Sequence, residues 1–152
     1  MVRFEVVTLI RAAPRRVFEE SLSVDTHMAS MAASRERAVG GVTSGRMGPG
    51  DQVTWRAWHF GVAWRMTSVI SAYDAPGFFV DEQVAGPFRR WRHEHRFAAD
   101  GGGGTVMRDA VEFEAPLGVL GRVAESVALR RHMTALIVAR NAHLKAVLES
   151  AG

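Results

Sequence analysis

The segment Trp91-Arg92-His93-Glu94-His95-Arg96-Phe97 decides how this chain folds, because its side chains alternate in character from one residue to the next. Successive side chains of a β-strand point to opposite faces of the sheet. One face of this strand therefore carries Trp91, His93, His95 and Phe97. Because such an apolar stripe normally faces a core, we expect both histidines either to be hydrogen-bonded to inner neighbours or to border a space that holds water or a ligand.

Turn-forming residues divide most of the chain into short segments. Predicted strands cover residues 4–10, 37–44, 52–60, 62–72, 78–85, 90–97 and 105–113. The breaks between the later strands contain Gly48-Pro49-Gly50, residues 74–77, Gly86-Pro87 and the glycine run 101–104, since Gly and Pro favour turns. The glycine run is followed by no helix start and has no lysine beside it. It therefore predicts a hairpin loop rather than a phosphate-binding loop.

Three stretches favour helices. Pro14 suits the start of a helix over residues 15–22, and Asp25 is the predicted cap of a second helix over residues 25–33. Pro116 ends the sheet, and residues 117–148 then carry apolar residues at helical spacing. These are Leu120, Val123, Val127, Met133, Ile137, Leu144 and Leu148. Gly118 and Gly121 favour a separate opening turn before the main helix.

The length of this last helix dictates the architecture. About thirty helical residues extend roughly 50 Å, which exceeds the width of a compact domain of this size, so the helix needs a cover. About seven antiparallel strands curled around the long C-terminal helix, with two short helices after the first strand, provide one. The predicted fold class is α+β, with a single domain over residues 1–152.

Composition and charge limit the classes of function. The chain has no cysteine, so neither disulfides nor thiolate chemistry contributes. Its pI near 10.5 accompanies a formal charge of only +3, and it has no nucleic-acid-binding motif. We therefore expect no nucleic-acid partner. The first ten residues resemble neither a signal peptide nor a membrane span, and the prediction is a soluble, cytoplasmic protein without membrane insertion.

Folding the last hairpin predicts a histidine–aspartate pair. If Phe97 faces Thr105, then His93 lies opposite Asp109 and His95 lies opposite Met107. Directly opposed side chains have Cβ atoms about 5 Å apart, close enough for the Asp109 carboxylate to accept a proton from His93.

Pairing across Gly86-Pro87 predicts further polar neighbours for the histidines. In the compatible register, His93 lies beside Gln83 and His95 lies beside Asp81. A shift of one residue would place Glu82 there instead, so Glu82 is the alternative candidate.

The neighbouring strands supply candidate walls for a binding site. Alternation places Trp55 and His59 on the inner face, and the more apolar side of the next strand includes Met66. Met47, Met107 and Met133 would add adaptable apolar surface, either around a guest or as fillers of a curved core. The complete predicted lining is Trp55, His59, Met66, Gln83, Trp91, Phe97, Met107, Phe113, Met133 and Ile137.

Three interpretations of His93 and His95 remain open. They form a satisfied buried polar cluster, they carry protons in acid–base catalysis, or they bind zinc together with His59. His27, His132 and His143 fall on predicted helices and are expected at the surface or an edge. Without cysteine or a Gly-x-Ser-x-Gly elbow, a nucleophilic mechanism is not indicated.

Several segments resemble one known superfamily. They are residues 10–18 (Ile-Arg-Ala-Ala-Pro-Arg-Arg-Val-Phe), Val53-Thr54-Trp55, the run from Gly86-Pro87-Phe88 to Phe97, and residues 104–116. With the order of elements, they resemble the START/Bet v 1-like (SRPBCC) superfamily, and within it the bacterial polyketide cyclase/dehydrase or lipid transport group. The resemblance implies a helix-grip fold with a deep apolar cavity for a small hydrophobic guest. Members include cyclases, carriers, receptors and co-chaperone domains, so it implies no single activity.

The leading hypothesis is a polyketide cyclase-like function in natural product biosynthesis, in which the protein promotes cyclisation or dehydration of a carbonyl-bearing guest. His93 would be the general base, Asp109 would orient it, and His95 with Asp81 would return a proton. Gln83 or His59 would stabilise the oxyanion. Neither an organic cofactor nor a metal is required.

Two other classes of function are alternatives. A carrier or sensor would bind the same hydrophobic guest without reaction. An interaction domain would have only a vestigial cavity. Whether the chain forms a homodimer stays open.

Overall fold

The computed structural model describes residues 1–115 and 122–150, with the side chains of the second range described from residue 127. These ranges form seven strands, three α-helices and a 3₁₀ turn. In chain order they are β1 (Val2–Ile10), α1 (Pro14–Ser21), α2 (Val24–Ser30), the 3₁₀ turn (Ala32–Ser34), β2 (Arg37–Gly41), β3 (Gln52–His59), β4 (Val62–Asp74), β5 (Phe78–Ala85), β6 (Arg90–Ala99), β7 (Thr105–Glu114) and α3 (Arg122–Ser150).

All seven strands belong to one antiparallel sheet with the order β1-β7-β6-β5-β4-β3-β2. Strands β2 to β7 follow one another as a meander, and the last strand, β7, pairs with the first strand, β1. Irregular register between Ala38 and Gly40, and at two points in β4, breaks the ladder. Such bulges bend strands and increase their twist, which helps the sheet curl around α3. The predicted α+β fold class is confirmed.

Helix α3 packs along the inner side of the sheet, and its second half contributes to the main core. Leu144 and Leu148 are buried in one cluster with residues of α1 and of the inner sheet face, including Phe18 and Phe79. Ile137 joins a second cluster that contains Trp91 and Phe113. The polar cluster described below lies on β6, between these two apolar groups.

Two local predictions were wrong. The side chain of Ser23, rather than Asp25, caps α2 by accepting a hydrogen bond from the Thr26 amide at 3.1 Å, while Asp25 accepts from the Gly45 amide. Strand β2 ends at Gly41 instead of continuing to residue 44. Gly41 has φ +66°, and a Cβ there would lie 2.1 Å from the Gln52 carbonyl oxygen, so the chain turns where only glycine fits.

The long helix extends from Arg122 to Ser150, about 44 Å at 1.5 Å per residue. The predictions for Pro116, Gly118, Leu120 and Gly121 lie outside the described residues, as does the side chain of Val123. None of the helices in the described ranges has the length and apolar character that a membrane span requires.

The predicted register of the β6–β7 hairpin was wrong by two residues. Ala99, rather than Phe97, pairs with Thr105, and Asp109 therefore lies opposite His95 instead of His93. The cause is the tight closure of the loop, because the Asp100 carboxylate accepts hydrogen bonds from the amides of Gly102 and Gly104. Pairing can then begin next to the loop. A shift of two residues leaves every side chain on its predicted face.

The register across Gly86-Pro87 was also wrong by two residues, because His93 lies opposite Asp81 and His95 lies opposite Phe79. Gln83 explains the wider turn. Its amide group donates to the Phe88 carbonyl oxygen at 2.7 Å and accepts from the Phe88 backbone nitrogen at 3.2 Å. Gln83 thus stabilises the loop between the strands. The alternative candidate, Glu82, lies opposite Arg92 on the outer face.

Candidate functional site

The site is built on the inner stripe of β6. Trp91, His93, His95 and Phe97 are all buried, whereas the alternate residue Arg96 is exposed on the outer face. Burying an imidazole is unfavourable unless its nitrogens find partners. The partners here are carboxylates of β5 and β7.

His93 forms a hydrogen-bonded pair with Asp109 of β7. The distance from His93 Nε2 to Asp109 Oδ1 is 2.8 Å, and Asp109 is completely buried. Burial alone would raise the pKa of Asp109, but its contacts with His93 and His95 and the charge of Arg140 hold that pKa well below the usual value. The ionised carboxylate only accepts hydrogen bonds, so His93 donates from Nε2 and keeps its lone pair on Nδ1.

Two residues of α3 complete the surroundings of Asp109. Asn141 Nδ2 donates to Oδ2 at 2.7 Å, and Arg140 Nη1 lies 3.2 Å from Oδ1; both side chains are buried. Neither residue was predicted to belong to the site. A signal was present, because Asn141 follows Ile137 by four residues and precedes Leu144 by three, which places an amide on the apolar stripe of the helix.

His95 lies between two carboxylates. Its Nε2 is 2.7 Å from Asp81 Oδ2, and its Nδ1 is 3.3 Å from Asp109 Oδ1. The second contact lacks hydrogen-bond geometry, and Nδ1 is the one buried side-chain nitrogen or oxygen in the described part of the chain without a hydrogen-bond partner. The His95 ring also stacks on His93, with ring centroids 3.7 Å apart, and on Phe79 at 4.0 Å.

Burial and charge set the ionisation of His93 and Asp81. Burial and the neighbouring His95 lower the pKa of His93 below its ordinary 6.5, although the hydrogen bond to Asp109 and the charge of Asp81 oppose this. For Asp81, burial opposes ionisation, but the hydrogen bond from His95 and the nearby histidine charges lower its pKa. Near neutral pH the site therefore holds an uncharged His93 between two carboxylates.

A cavity of about 420 Å³ opens beside these residues, between α3 and the sheet. Its wall includes His93, His95, Asp81 and Arg140. Asp109 lies behind them. The predicted ligand-binding residues that line this cavity are Trp55, His59, Met66, Trp91, Met133 and Ile137. The wall is otherwise largely apolar, with polar groups concentrated at two places.

Four of the predicted ligand-binding residues lie outside the cavity wall. Gln83 is occupied with the Phe88 backbone. Phe97 and Met107 are buried in the main core next to Phe18, and Phe113 packs behind Trp91. The two-residue register shift does not change their face. They are instead covered by other side chains, which strand alternation cannot predict.

A second polar group lies at the other side of the cavity. His59 Nδ1 is 2.9 Å from His132 Nε2, and His27 Nε2 is 2.8 Å from Glu36 Oε1; all four residues line the cavity. His27 and His132 are partly exposed, as expected for an edge position, and both also line the cavity, which the sequence did not predict. Burial lowers the pKa of His59, assisted by His132, and burial also lowers that of His132. Phe60 is 61% exposed and also lines the cavity, so the cavity reaches the surface here.

Asp81, His93 and His95 present three potential metal-ligand atoms within 4.8 Å of one another, and His59 is not part of this group. The ring planes of His93 and His95 are nearly parallel, at 24°. Imidazole lone pairs lie in the ring plane, so two stacked rings do not direct them at one ion. Coordination would require a ring to turn away from its carboxylate. The arrangement fits hydrogen bonding better than a metal centre.

The sheet, the long helix and the cavity between them define the helix-grip class of START-like proteins. The family described as "Polyketide cyclase / dehydrase and lipid transport" matches residues 1–149, and the chain belongs to this family. None of the curated proteins compared with the chain matches it.

Solved structures show the same fold at low sequence identity. The Zhui aromatase/cyclase from Streptomyces sp. R1128 is 14% identical with a TM-score of 0.79, covering 97% of this chain and 93% of that one. A START superfamily protein from Mycobacterium smegmatis is 10% identical, with a TM-score of 0.73 and 99% coverage of both chains. Ginseng major latex-like protein 151 from Panax ginseng is 14% identical, with a TM-score of 0.66 and 97% coverage of both.

Proposed function

We propose that this protein binds a small, largely apolar, carbonyl-bearing metabolite in its cavity and promotes its cyclisation or dehydration by acid–base chemistry. The observation that carries the proposal is the hydrogen bond between Asp109 and His93, which lies at the wall of a largely apolar cavity. A neutral His93 that donates from Nε2 to this carboxylate has its lone pair on Nδ1. We place the reaction in the cytoplasm, in the synthesis of a natural product.

His93 is the proposed general base. Its lowered pKa keeps the ring neutral at physiological pH, so Nδ1 is ready to accept a proton from a carbon next to a carbonyl group or from a hydroxyl. Asp109 fixes the ring and stabilises the imidazolium that forms. The Asp81 carboxylate, with Oδ2 3.8 Å from Nδ1, adds to that stabilisation.

Arg140 replaces Gln83 and His59 as the proposed partner of the oxyanion. It lines the cavity beside His93, and in the described part of the chain only its Nη1 takes part in side-chain hydrogen bonds. The N–H groups on Nε and Nη2 are then available for a carbonyl oxygen that gains negative charge. His59 is paired with His132 in the second polar group, and Gln83 is outside the wall.

The proton returns to the leaving hydroxyl in a dehydration. The imidazolium of His93 is one source of that proton, and the His95–Asp81 pair is the second source suggested by the sequence. The leaving group then departs as water, and the carbon–carbon double bond takes the electron pair of the broken C–H bond. Beside His93, the carboxylates of Asp81 and Asp109 outnumber the single guanidinium of Arg140. The guest should therefore present a neutral carbonyl or hydroxyl group to His93 rather than an anion.

A carrier function is the second candidate. The near-complete hydrogen bonding of the cluster favours it, because a satisfied buried network can serve only to anchor one oxygen of the guest. The remaining wall would supply affinity through apolar contacts. In this case the loss of His93 weakens binding, with no reaction to lose.

A β-hydroxyketone distinguishes the two functions. We suggest 4-hydroxy-4-phenylbutan-2-one, whose dehydration to the conjugated enone is followed by ultraviolet absorbance, with binding measured by calorimetry. Catalysis predicts faster dehydration by the wild type and loss of that acceleration in His93→Gln, while binding persists. Binding without acceleration supports the carrier, and native mass spectrometry of protein from its own host would identify a co-purified guest.

A further inference from the structure

The outer face of the sheet carries an uninterrupted row of arginines on β2, β3 and β4. The register places Arg37 opposite Arg56, and Arg56 opposite Arg65, and all three side chains are exposed. Neighbouring strands lie about 4.8 Å apart, so the three positive charges are close together. Like charges in directly opposed positions are destabilising, so this row lowers the stability of the isolated protein.

The other half of the same face is charge-balanced. Arg3, Arg92 and Arg108 have carboxylate partners, at 3.4 Å to Glu112, 2.9 Å to Glu94 and 3.2 Å to Glu5. Across β2, β3 and β4, by contrast, Asp74 is the one acidic residue, and it lies at the far end of β4. The ion pairs found among the described side chains include none of the three arginines of the row.

The tip of the β3–β4 hairpin lies next to this row and is apolar. Trp58, Phe60 and Val62 are 45%, 61% and 54% exposed. Trp58 lies on the same strand face as Arg56 and is two residues closer to the tip. Its position is therefore about 7 Å beyond the arginine row, measured along the strand toward the tip. Three large apolar side chains exposed close together at one hairpin tip are unusual on a surface that faces only water.

Helix α3 adds positive charge near the tip. Exposed Arg130 and Arg131 immediately precede His132, whose ring packs against Phe60 with ring centroids 4.6 Å apart. Neither arginine takes part in an ion pair within the described ranges. The apolar tip is therefore accompanied by arginines on both the sheet and the helix.

We propose that this tip and its arginines form a peripheral docking surface for a membrane that contains anionic lipids. Trp58, Phe60 and Val62 would enter the interfacial layer, where aromatic residues are favoured, while Arg56 and Arg65 lie at the depth of the headgroups. A membrane fits better than a folded protein because exposed apolar side chains lie on both faces of one hairpin tip, with Trp58 on the outer face and Val62 on the face of His59, and positive charge follows them on the sheet and on α3. The inference does not depend on any reaction in the cavity.

Sedimentation with lipid vesicles tests this surface. The probes are vesicles of phosphatidylcholine alone and vesicles of phosphatidylcholine mixed equally with phosphatidylglycerol. We expect binding to the mixed vesicles only, weakened by added salt. Each arginine near an anionic surface is worth about a fivefold change in affinity, so Arg56→Gln with Arg65→Gln should weaken binding roughly 25-fold. Trp58→Ser with Val62→Ser should abolish it at any lipid concentration where the wild type is half bound.

Matched substitutions on the balanced half provide the control. Arg3→Gln with Arg108→Gln removes the same charge, and Leu9→Ser removes an apolar side chain that is 63% exposed on β1. These variants should bind mixed vesicles like the wild type. Absence of vesicle binding, or equal losses in the control and tip variants, would overturn the proposal. Retention on a polynucleotide or an acidic protein without vesicle binding would likewise assign the arginines to another partner.

Discussion

Nε2 of His93 lies 2.8 Å from Oδ1 of Asp109, although the two residues are not opposed in the sheet: Val111 lies opposite His93, and Asp109 lies opposite His95. The contact is therefore diagonal. The Asp109 carboxylate therefore lies close to both imidazoles, and its other lone pairs accept hydrogen bonds from Arg140 and Asn141 of α3. Asp109 is the residue on which the cluster depends, and its neighbours define how the site responds to substitution and pH.

Replacing Asp109 with Asn should strongly destabilise the fold. The amide keeps the shape of the side chain but removes the carboxylate that is hydrogen-bonded to the buried Arg140. Removal of one partner of a buried ion pair typically costs about 3–5 kcal/mol. Urea denaturation measures the change. Glu5→Gln breaks the exposed pair with Arg108 and should cost about 0–1 kcal/mol. Similar losses in both variants would contradict the central role of Asp109.

The pH dependence of turnover should report His93. A general base acts in its neutral form, and the pKa of His93 is lowered from 6.5, so kcat/KM should be constant near neutral pH and fall only on acidification below 6.5. His93→Gln should reduce the rate by about 10²- to 10⁴-fold and remove this acid limb. His143→Gln, at a half-buried position on α3, is the control and should retain the limb. An activity that falls only at alkaline pH would exclude this role.

Folding stability should decrease as the pH falls below 6.5. The pKa values of His59, His93 and His132 are all lowered in the folded protein, so the unfolded chain binds more protons in this range and acid favours it. This contribution is complete above 6.5 and is lost as the pH falls through the folded-state pKa values. Melting temperatures across this range provide the measurement. His59→Gln with His132→Gln should flatten the profile, and an unchanged slope would show that these two histidines do not cause it.

A further loss of stability is expected at lower pH. Asp81 and Asp109 have lowered pKa values in the folded state, so their contribution is present above the ordinary value of 3.8 and is lost as they are protonated below it. The same melting series, extended into this range, should show a second fall. The second fall should be smaller in Asp81→Asn.

The link between His59 and His132 should control exchange of the guest. Between residues 127 and 139, it is the only side-chain hydrogen bond that joins α3 to the sheet, and it lies where the cavity reaches the surface. His132→Ala should accelerate release of an apolar dye severalfold, while the loss of one hydrogen bond costs only about 1 kcal/mol of stability. Stopped-flow fluorescence with the neutral dye N-phenyl-1-naphthylamine measures the release. An unchanged release rate would show that this link does not limit exchange.

Much of the site could be predicted because it follows from strand alternation. The inner placement of His93, His95, Trp91 and Trp55 depends only on which residues are two apart. The pairs His93–Asp109 and His95–Asp81 were also expected, even though both registers were wrong by two residues. A shift by an even number preserves the face, and long polar side chains reach diagonal neighbours as well as direct ones.

The sequence by itself determined the order of elements, the curled sheet with its long helix, and the face on which each strand residue lies, because these follow from local periodicity and turn chemistry. Only the tertiary structure decided that Arg140 and Asn141 meet Asp109, that Phe97 and Met107 are covered instead of lining the cavity, and that His132 reaches His59. These contacts join segments distant in the chain, and they depend on how far the sheet bends and where α3 lies against it. No local pattern of residues encodes the bend of the sheet or the position of α3.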